Sequence, residues 1–254
     1  MGTQWWCTFV SMPMTYIVPE KVYYIHIPKT GGTTEKYKLK EMYGNDLIQV
    51  PTGKHSPYDE RYAHYDCIYT HVRNPHTRML SMYLFHNELD HMAEKYIDKE
   101  RWKFLDTEFR WYISRLLGAH WEDITDFDKL IMQKMKPLHS NISPDNYVKW
   151  LDLVGKANDK FAPPIIERRT SSFGQNTMVR PFVQQYKWIT WHKGEQHNWI
   201  SDKVHVKRIE DEEGDLKLNQ TTRMPGHNDD EYIEAGRSLI QQYYSEDLRR
   251  FGYE

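Results

Sequence analysis

The chain is short of several features that define common classes of protein. It has only two cysteines, Cys7 and Cys67, so at most one disulfide can form, which is compatible with a reducing compartment. The apolar patch from Trp5 to Val10 is too short to cross a bilayer and lacks a preceding basic segment. The net charge of −2 argues against a general nucleic-acid-binding protein. We therefore expect a soluble, cytoplasmic protein with no membrane or nucleic-acid partner.

Familiar nucleotide and metal motifs are missing as well. The Walker A pattern GxxxxGK[ST] and the Rossmann pattern G-x-G-x-x-G do not occur in the sequence. The sequence also contains no CxxC pair and no HExxH helix, and His192 and His197 have no obvious third ligand. These absences disfavour an ordinary ATPase or GTPase and predict that the protein binds no metal.

What is present indicates one globular domain of the α/β class. Apolar residues make up 39% of the chain and aromatic residues 14%, and 254 residues can bury a sizeable core. We expect residues 1–13 to be an extension and residues 14–254 to form one domain, a central parallel sheet flanked by helices. The predicted strands are the apolar run that begins at Val22, then Asp46–Val50, Asp66–Val72 and Lys203–Ile209. The predicted helices are Glu35–Met42, Pro75 to about Leu89, Lys95–Leu117, Asp126–Met135 and Asp229–Phe251, whereas residues 137–185 are expected to be irregular loops.

The first predicted strand runs into a glycine turn that suits a phosphate group. The turn contains one proline, one lysine, three threonines and two adjacent glycines, which are Pro28, Lys29, Thr30, Gly31, Gly32, Thr33 and Thr34. A strand, a glycine turn and a helix in this order point backbone N–H groups and a helix N-terminus at an anion. Lys29 precedes the glycines, whereas the Walker lysine follows them, so a different phosphorylated molecule is indicated. An ammonium at this position can stabilise negative charge on a leaving group.

A second basic position follows the third predicted strand. Arg73 comes directly after the strand, where α/β folds bind ligands, and Asn74-Pro75 provides a helix cap and first turn. Ser81 lies about two turns into that helix. Arg78, between them, is equally compatible with a role in binding and with an exposed helix position.

Together these segments resemble sulfotransferases that use 3′-phosphoadenosine 5′-phosphosulfate (PAPS). The stretch HIPKTGGT is similar to their 5′-phosphosulfate loop, and VRNPHTRMLS is similar to their 3′-phosphate motif. The nearest branch is that of heparan-sulfate 6-O-sulfotransferases and their bacterial and viral relatives, which implies a P-loop-like sulfotransferase fold and favours a bacterial or viral origin. The donor-binding residues that the resemblance implies are Lys29, Thr30, Gly31, Gly32, Thr33, Thr34, Arg73 and Ser81.

The resemblance also implies a catalytic base and an acceptor. His55, in PTGKHSPYDE, matches a histidine that removes the proton of the acceptor hydroxyl in this family, and imidazole suits that task because its pKa lies near neutrality. Lys29 would support the leaving phosphate, and the acceptor would be a carbohydrate hydroxyl. A phenolic acceptor, a nucleotide-binding module without activity and a kinase-like phosphotransferase remain alternatives. Arg208 could contact the nucleotide or form a salt bridge with Glu210 or Asp211.

Overall fold

The computed structural model describes seven segments of the chain. They are residues 15–50, 58–95, 134–167, 182–193, 196–199, 203–212 and 228–254. His55 and the predicted helix Lys95–Leu117, except its first residue, lie outside these segments, as does most of the predicted helix Asp126–Met135.

The described strands form a five-stranded mixed sheet with helices packed against it. Its strands are β1 (Tyr16–Val18), β2 (Val22–Ile25), β3 (Ile48–Gln49), β4 (Cys67–Val72) and β7 (Val204–Arg208), in the order β3-β1-β2-β4-β7. The predicted parallel sheet is confirmed at its centre, where β2 pairs with β4 and β4 with β7 in parallel. It is wrong at one side, where β1, which the sequence did not predict, is antiparallel to both β2 and β3. A separate antiparallel hairpin consists of β5 (Thr190–Lys193) and β6 (Gln196–Trp199).

The helices follow the predicted order with two corrections. The described helices are α1 (Gly32–Tyr43), α2 (Pro75–Lys95), α3 (Pro144–Glu167), α4 (Tyr186–Ile189), α5 (Asp229–Tyr243) and α6 (Ser245–Phe251), and residues 134–140 are also helical. The start of α2 is as predicted, because the His76 N–H donates to Oδ1 of Asn74 at 3.0 Å.

No helix among the described residues is long and apolar enough to cross a membrane.

The first correction concerns α3, which occupies part of the stretch expected to be irregular loops. Pro144 stands at its first position, and the Asn146 N–H donates to Oγ of Ser143 at 3.2 Å. The buried face of its first half consists of residues at helical spacing: Tyr147, Trp150, Leu151 and Val154. The prolines 163 and 164 and the sparse apolar pattern around them concealed this helix, which packing against α5 stabilises.

The second correction concerns the C-terminal helix, which is broken in two. Tyr244 lies between α5 and α6 with φ −124° and ψ 19°. Tyr243 and Tyr244 are both buried, yet successive side chains of a straight helix point about 100° apart. The Tyr244 hydroxyl donates to the Phe182 carbonyl at 2.8 Å, which gives the break a tertiary partner. Gly252 closes α6 in the left-handed conformation, as the sequence indicated.

The core is divided between the two faces of the sheet and the helices beside them. One face packs Ile25, Ile68 and Val72 against Trp188 and Phe251. The other face lies beneath α1 and packs Tyr16, Tyr24 and Tyr69 against Leu39 of that helix. A third cluster joins α2, α3 and α5. Because β2 and β4 are adjacent and parallel, the turns that follow them lie at the same edge of the sheet.

Candidate functional site

The turn between β2 and α1 has a strained backbone at its lysine. Lys29 has φ +65° and Gly31 has φ +80°, so two residues of the turn are left-handed. For lysine this conformation is uncommon, and such strain is concentrated at functional sites. The Thr30 hydroxyl donates to the Ile27 carbonyl at 2.8 Å and so closes the turn internally. The chain then enters α1 at Gly32, with Thr33 and Thr34 in its first turn.

The two glycines of the turn serve different physical purposes. Gly31 caps α1 in the left-handed region, which glycine adopts without steric cost. Gly32 lies so close to the buried ring of His26 that any Cβ at this position would overlap the ring. The approach of α1 to the end of β2 therefore requires glycine at position 32.

The side chain of Lys29 reaches α2, the helix that carries Ser81. Its Nζ lies 3.7 Å from the centroid of the Phe85 ring, a distance typical of a cation–π contact. Ser81 is one helical turn before Phe85 and is buried. The structure thus brings the predicted leaving-group lysine to the part of α2 where the predicted 3′-phosphate serine lies.

Arg73 follows the last residue of β4, and its backbone is held at both polar groups. Its N–H donates to Oε1 of Gln185 at 2.8 Å, and Nε2 of Gln185 donates to its carbonyl at 2.8 Å. Its Nε donates to Oγ1 of Thr77 at 3.0 Å, and the residue is half-buried. The turns that carry Lys29 and Arg73 follow neighbouring parallel strands, so the structure places both at one sheet edge.

Arg78 is not an exposed helix residue. It is fully buried, with Nε donating to the Pro28 carbonyl at 3.1 Å and one terminal nitrogen to the Val183 carbonyl at 3.3 Å. Burial lowers the pKa of its guanidinium, and the charge of Asp247 opposes this shift. Arg78 therefore binds the backbone of the turn just before Lys29.

Gln185 and Asp247 lie beside Arg73 in the structure, and the sequence assigned neither of them a role in the site. Asp247, on α6, is fully buried and accepts the backbone N–H of Gln185 at 2.7 Å and that of Tyr186 at 2.9 Å. Burial raises the pKa of its carboxyl, and these two hydrogen bonds oppose the shift. The segment QYKWI is visible in the sequence, but its pairing with Arg73 is not.

A second polar cluster lies beneath the first turns of α1. His71 Nε2 lies 2.7 Å from Oε1 of Glu212 and 4.0 Å from Oε2 of Glu35. The Tyr69 hydroxyl donates to Oε1 of Glu35 at 2.5 Å, and Nζ of Lys38 lies 2.9 Å from Oε2 of Glu212. The pKa of the Glu212 carboxyl is lowered to about 2. The largest cause is its hydrogen bond with His71, and its hydrogen bond with Lys38 lowers the pKa further.

This cluster has residue types that could hold a metal ion, and its geometry tests that possibility. One ligand atom each from Glu35, His71 and Glu212 lies within 4.8 Å of the others. However, the 2.7 Å separation of His71 and Glu212 is a hydrogen-bond distance, whereas two ligands of a tetrahedral zinc ion are about 3.3 Å apart. Lys38 already supplies a cation to both carboxylates. The arrangement fits an ion-paired network better than a metal centre, and the absence of a metal stays a prediction.

A shallow groove of about 710 Å³ runs along β7 and the end of α6. Arg208 is one of the residues that line this groove. Nε and one terminal nitrogen of its guanidinium donate to the two carboxylate oxygens of Asp211, at 2.6 and 2.9 Å. The other terminal nitrogen donates to the Gly252 carbonyl at 3.1 Å. Of the two roles considered for Arg208, the described structure shows the salt bridge. None of the described residues that the resemblance predicts to bind the donor lines the groove.

Comparison with known proteins adds no assignment. No protein-family model matches the chain, and neither the curated proteins nor the solved structures contain a match.

Proposed function

We propose that the protein is a PAPS-dependent O-sulfotransferase with a P-loop-like sulfotransferase fold. The observation that carries the proposal is the placement of Lys29 and Arg73 in turns that follow adjacent parallel strands. Ligands of open α/β sheets bind at this edge, where the strands end. Two cationic side chains at one edge suit a donor that carries phosphate at both the 3′ and the 5′ position of adenosine.

The donor's phosphates would be divided between the two turns. The 5′-phosphosulfate would lie at the N-terminus of α1. The backbone N–H groups and hydroxyls there would come from Gly31, Gly32, Thr33 and Thr34, and the turn is completed by Lys29 and Thr30. The 3′-phosphate would be bound by Arg73 and Ser81, since guanidinium forms paired, charge-assisted bonds to phosphate. This second contact would distinguish the donor from ATP, which has no 3′-phosphate.

Transfer would proceed by displacement at sulfur. The acceptor oxygen forms a bond to sulfur while the bond from sulfur to the bridging oxygen of the 5′-phosphate breaks, and 3′-phosphoadenosine 5′-phosphate leaves. His55 would take the proton of the acceptor hydroxyl, and Lys29 would stabilise the charge that develops on the bridging oxygen. The acceptor we propose is a carbohydrate hydroxyl, a phenolic hydroxyl being the alternative.

Nucleotide binding gives the first test. We expect 3′-phosphoadenosine 5′-phosphate to raise the melting temperature of the protein, because a ligand that binds the native state stabilises that state. ATP should give a much smaller rise, because it has no 3′-phosphate. The increase should be lost in Arg73→Ala. Stabilisation by ATP with magnesium but not by the bisphosphate would favour a phosphotransferase instead.

Transfer from labelled PAPS to a panel of glycans and phenols gives the second test. We expect His55→Ala to lower the transfer rate by about 10²–10⁴-fold, the usual contribution of a general base, without loss of nucleotide binding. His64→Ala is a matched control, because His64 is an exposed histidine nearby in the chain. Binding of the bisphosphate without transfer to any acceptor would favour a nucleotide-binding module, and full activity of His55→Ala would refute its role as the base.

A further inference from the structure

The amide of Gln185 links Arg73 directly to Asp247 of the C-terminal helix α6. Gln185 is fully buried immediately before α4, 112 residues from Arg73 in the chain. Its amide satisfies both the N–H and the carbonyl of Arg73 at 2.8 Å, as a neighbouring strand would do. The peptide groups on either side of the Arg73 Cα are therefore held just beyond the end of β4.

The orientation of that amide is itself set by Asp247. One carboxylate oxygen accepts the Gln185 backbone N–H at 2.7 Å and lies 3.5 Å from Nε2 of the same residue. The other oxygen accepts the N–H of Tyr186 at 2.9 Å. A carboxylate so placed favours the amide orientation in which Nε2 faces Asp247 and the Arg73 carbonyl, and Oε1 faces the Arg73 N–H.

The side chain of Arg73 is also held in place, by a hydrogen bond from its Nε. Nε donates to Oγ1 of Thr77 at 3.0 Å, and that hydroxyl donates to the Asn74 carbonyl at 3.2 Å. With the backbone fixed by Gln185 and Nε fixed by Thr77, the plane of the guanidinium has little freedom to turn. A paired contact to phosphate depends on that plane, because both N–H bonds must point at the same group.

We infer that Gln185, oriented by Asp247, is a positioning residue that aims Arg73 at the 3′-phosphate of the nucleotide and so sets the preference for a 3′-phosphorylated ligand. The inference rests on the proposed function. It predicts that a change at Gln185 weakens binding of the 3′-phosphate selectively, whereas a change that merely loosens the fold weakens all nucleotides alike.

The test compares two probes, 3′-phosphoadenosine 5′-phosphate and 5′-AMP, by calorimetry. The readout is the dissociation constant for 5′-AMP divided by that for 3′-phosphoadenosine 5′-phosphate, a ratio that isolates the contribution of the 3′-phosphate. We expect Gln185→Met, which keeps the length of the side chain but removes both hydrogen bonds to Arg73, to lower this ratio by about tenfold. Gln184→Met is the matched control, because Gln184 is the adjacent residue and its amide bonds to the Tyr243 carbonyl instead. The control should keep the wild-type ratio.

A double-mutant cycle separates positioning from stability. In an Arg73→Ala background, Gln185→Met should leave the ratio unchanged, because no guanidinium remains to be aimed. If Gln185→Met does not fold, Asp247→Asn provides the same measurement with the side chain of Gln185 intact, and we expect a smaller fall in the ratio. An unchanged ratio in the folded variant, or an equal loss of affinity for both probes, overturns the inference. A wild-type protein with no preference for the bisphosphate overturns the proposed function instead.

Discussion

Lys29 is the residue in which backbone strain and predicted chemistry coincide. A lysine with φ +65° is uncommon, and the structure places its ammonium against Phe85 of α2. The turn would be less strained with glycine at this position. The strain therefore supports the proposal that the lysine side chain has a function.

We predict that Lys29→Met lowers transfer from PAPS by about 10²–10³-fold, because it removes a charge at the site of charge development while keeping an apolar contact to Phe85. Affinity for 3′-phosphoadenosine 5′-phosphate should change far less. Rates with saturating donor, beside calorimetric binding of the product, measure the two effects. Lys40→Met, at an exposed lysine of α1, is the control. A variant that retains more than a tenth of the wild-type rate would contradict the role of Lys29.

For the cluster of Glu35, His71 and Glu212 we predict that no metal is needed. The melting temperature should be the same after dialysis against a chelator and after addition of zinc, because Lys38 and the hydrogen bonds already balance the carboxylates. A ligand that binds only the native state would raise the melting temperature in proportion to the logarithm of its concentration. A rise with zinc that disappears in His71→Gln would show the cluster to be a metal site.

At the scale of elements, one buried arginine connects three parts of the fold. Arg78 extends from α2 to the carbonyl of Pro28, in the turn after β2, and to that of Val183, in the segment before α4. Elsewhere α3 and α5 meet at glycines, since a Cβ at Gly155 would overlap the Tyr243 ring and one at Gly236 would press on Leu151. The elements around the site are thus joined by specific contacts rather than by apolar area alone.

We predict that Arg78→Met lowers the free energy of unfolding by about 3 kcal/mol, because it removes the hydrogen bonds to the Pro28 and Val183 carbonyls and the guanidinium charge that favours the Asp247 carboxylate. Urea unfolding followed by circular dichroism measures this change. Arg237→Met is the control, because Arg237 forms an exposed ion pair with Glu234 and should have no measurable effect. Wild-type stability of Arg78→Met would contradict the structural role assigned to this residue.

The whole molecule has buried histidines that make its stability depend on pH. Burial lowers the pKa of His139 to about 3 and that of His86 well below 6.5, the ordinary value. Between these lowered pKa values and about pH 6.5, the unfolded chain binds more protons than the native protein. The free energy of unfolding therefore falls as the pH decreases from about 6.5. Below pH 4.5 Glu212 adds to the loss, because its folded-state pKa is lowered to about 2.

We predict that the free energy of unfolding falls by about 2 kcal/mol from His139 alone between pH 7 and pH 5, at 1.36 kcal/mol per unit of pKa difference. Urea unfolding at the two pH values measures the fall. His139→Leu should reduce the difference between the two values, and His64→Gln, at an exposed histidine, should leave it unchanged. Equal stability at pH 7 and pH 5 in the wild type would contradict the prediction.

Local physics explains what could be predicted from the sequence. The apolar run after Val22, the glycine turn at Gly31 and the Asn74-Pro75 cap each depend on a few neighbouring residues, and the described structure has a strand, a turn and a helix start at these places. The helix α3 was missed because part of its sequence disfavours a helix, and packing against α5 decides its conformation. The break at Tyr244 was missed because the sequence around it is compatible with a continuous helix, and the Phe182 carbonyl that its hydroxyl binds lies 62 residues away in the chain.

The sequence by itself determined the central strands, the turn that carries Lys29 and the position of Arg73 after a strand, because backbone preferences act over a few residues. Only the tertiary structure decided that β1 and β3 are antiparallel, that Arg78 is buried, and that Gln185 holds Arg73 across 112 residues. Contacts between distant segments depend on how the whole chain packs, and no local pattern specifies which side chains meet.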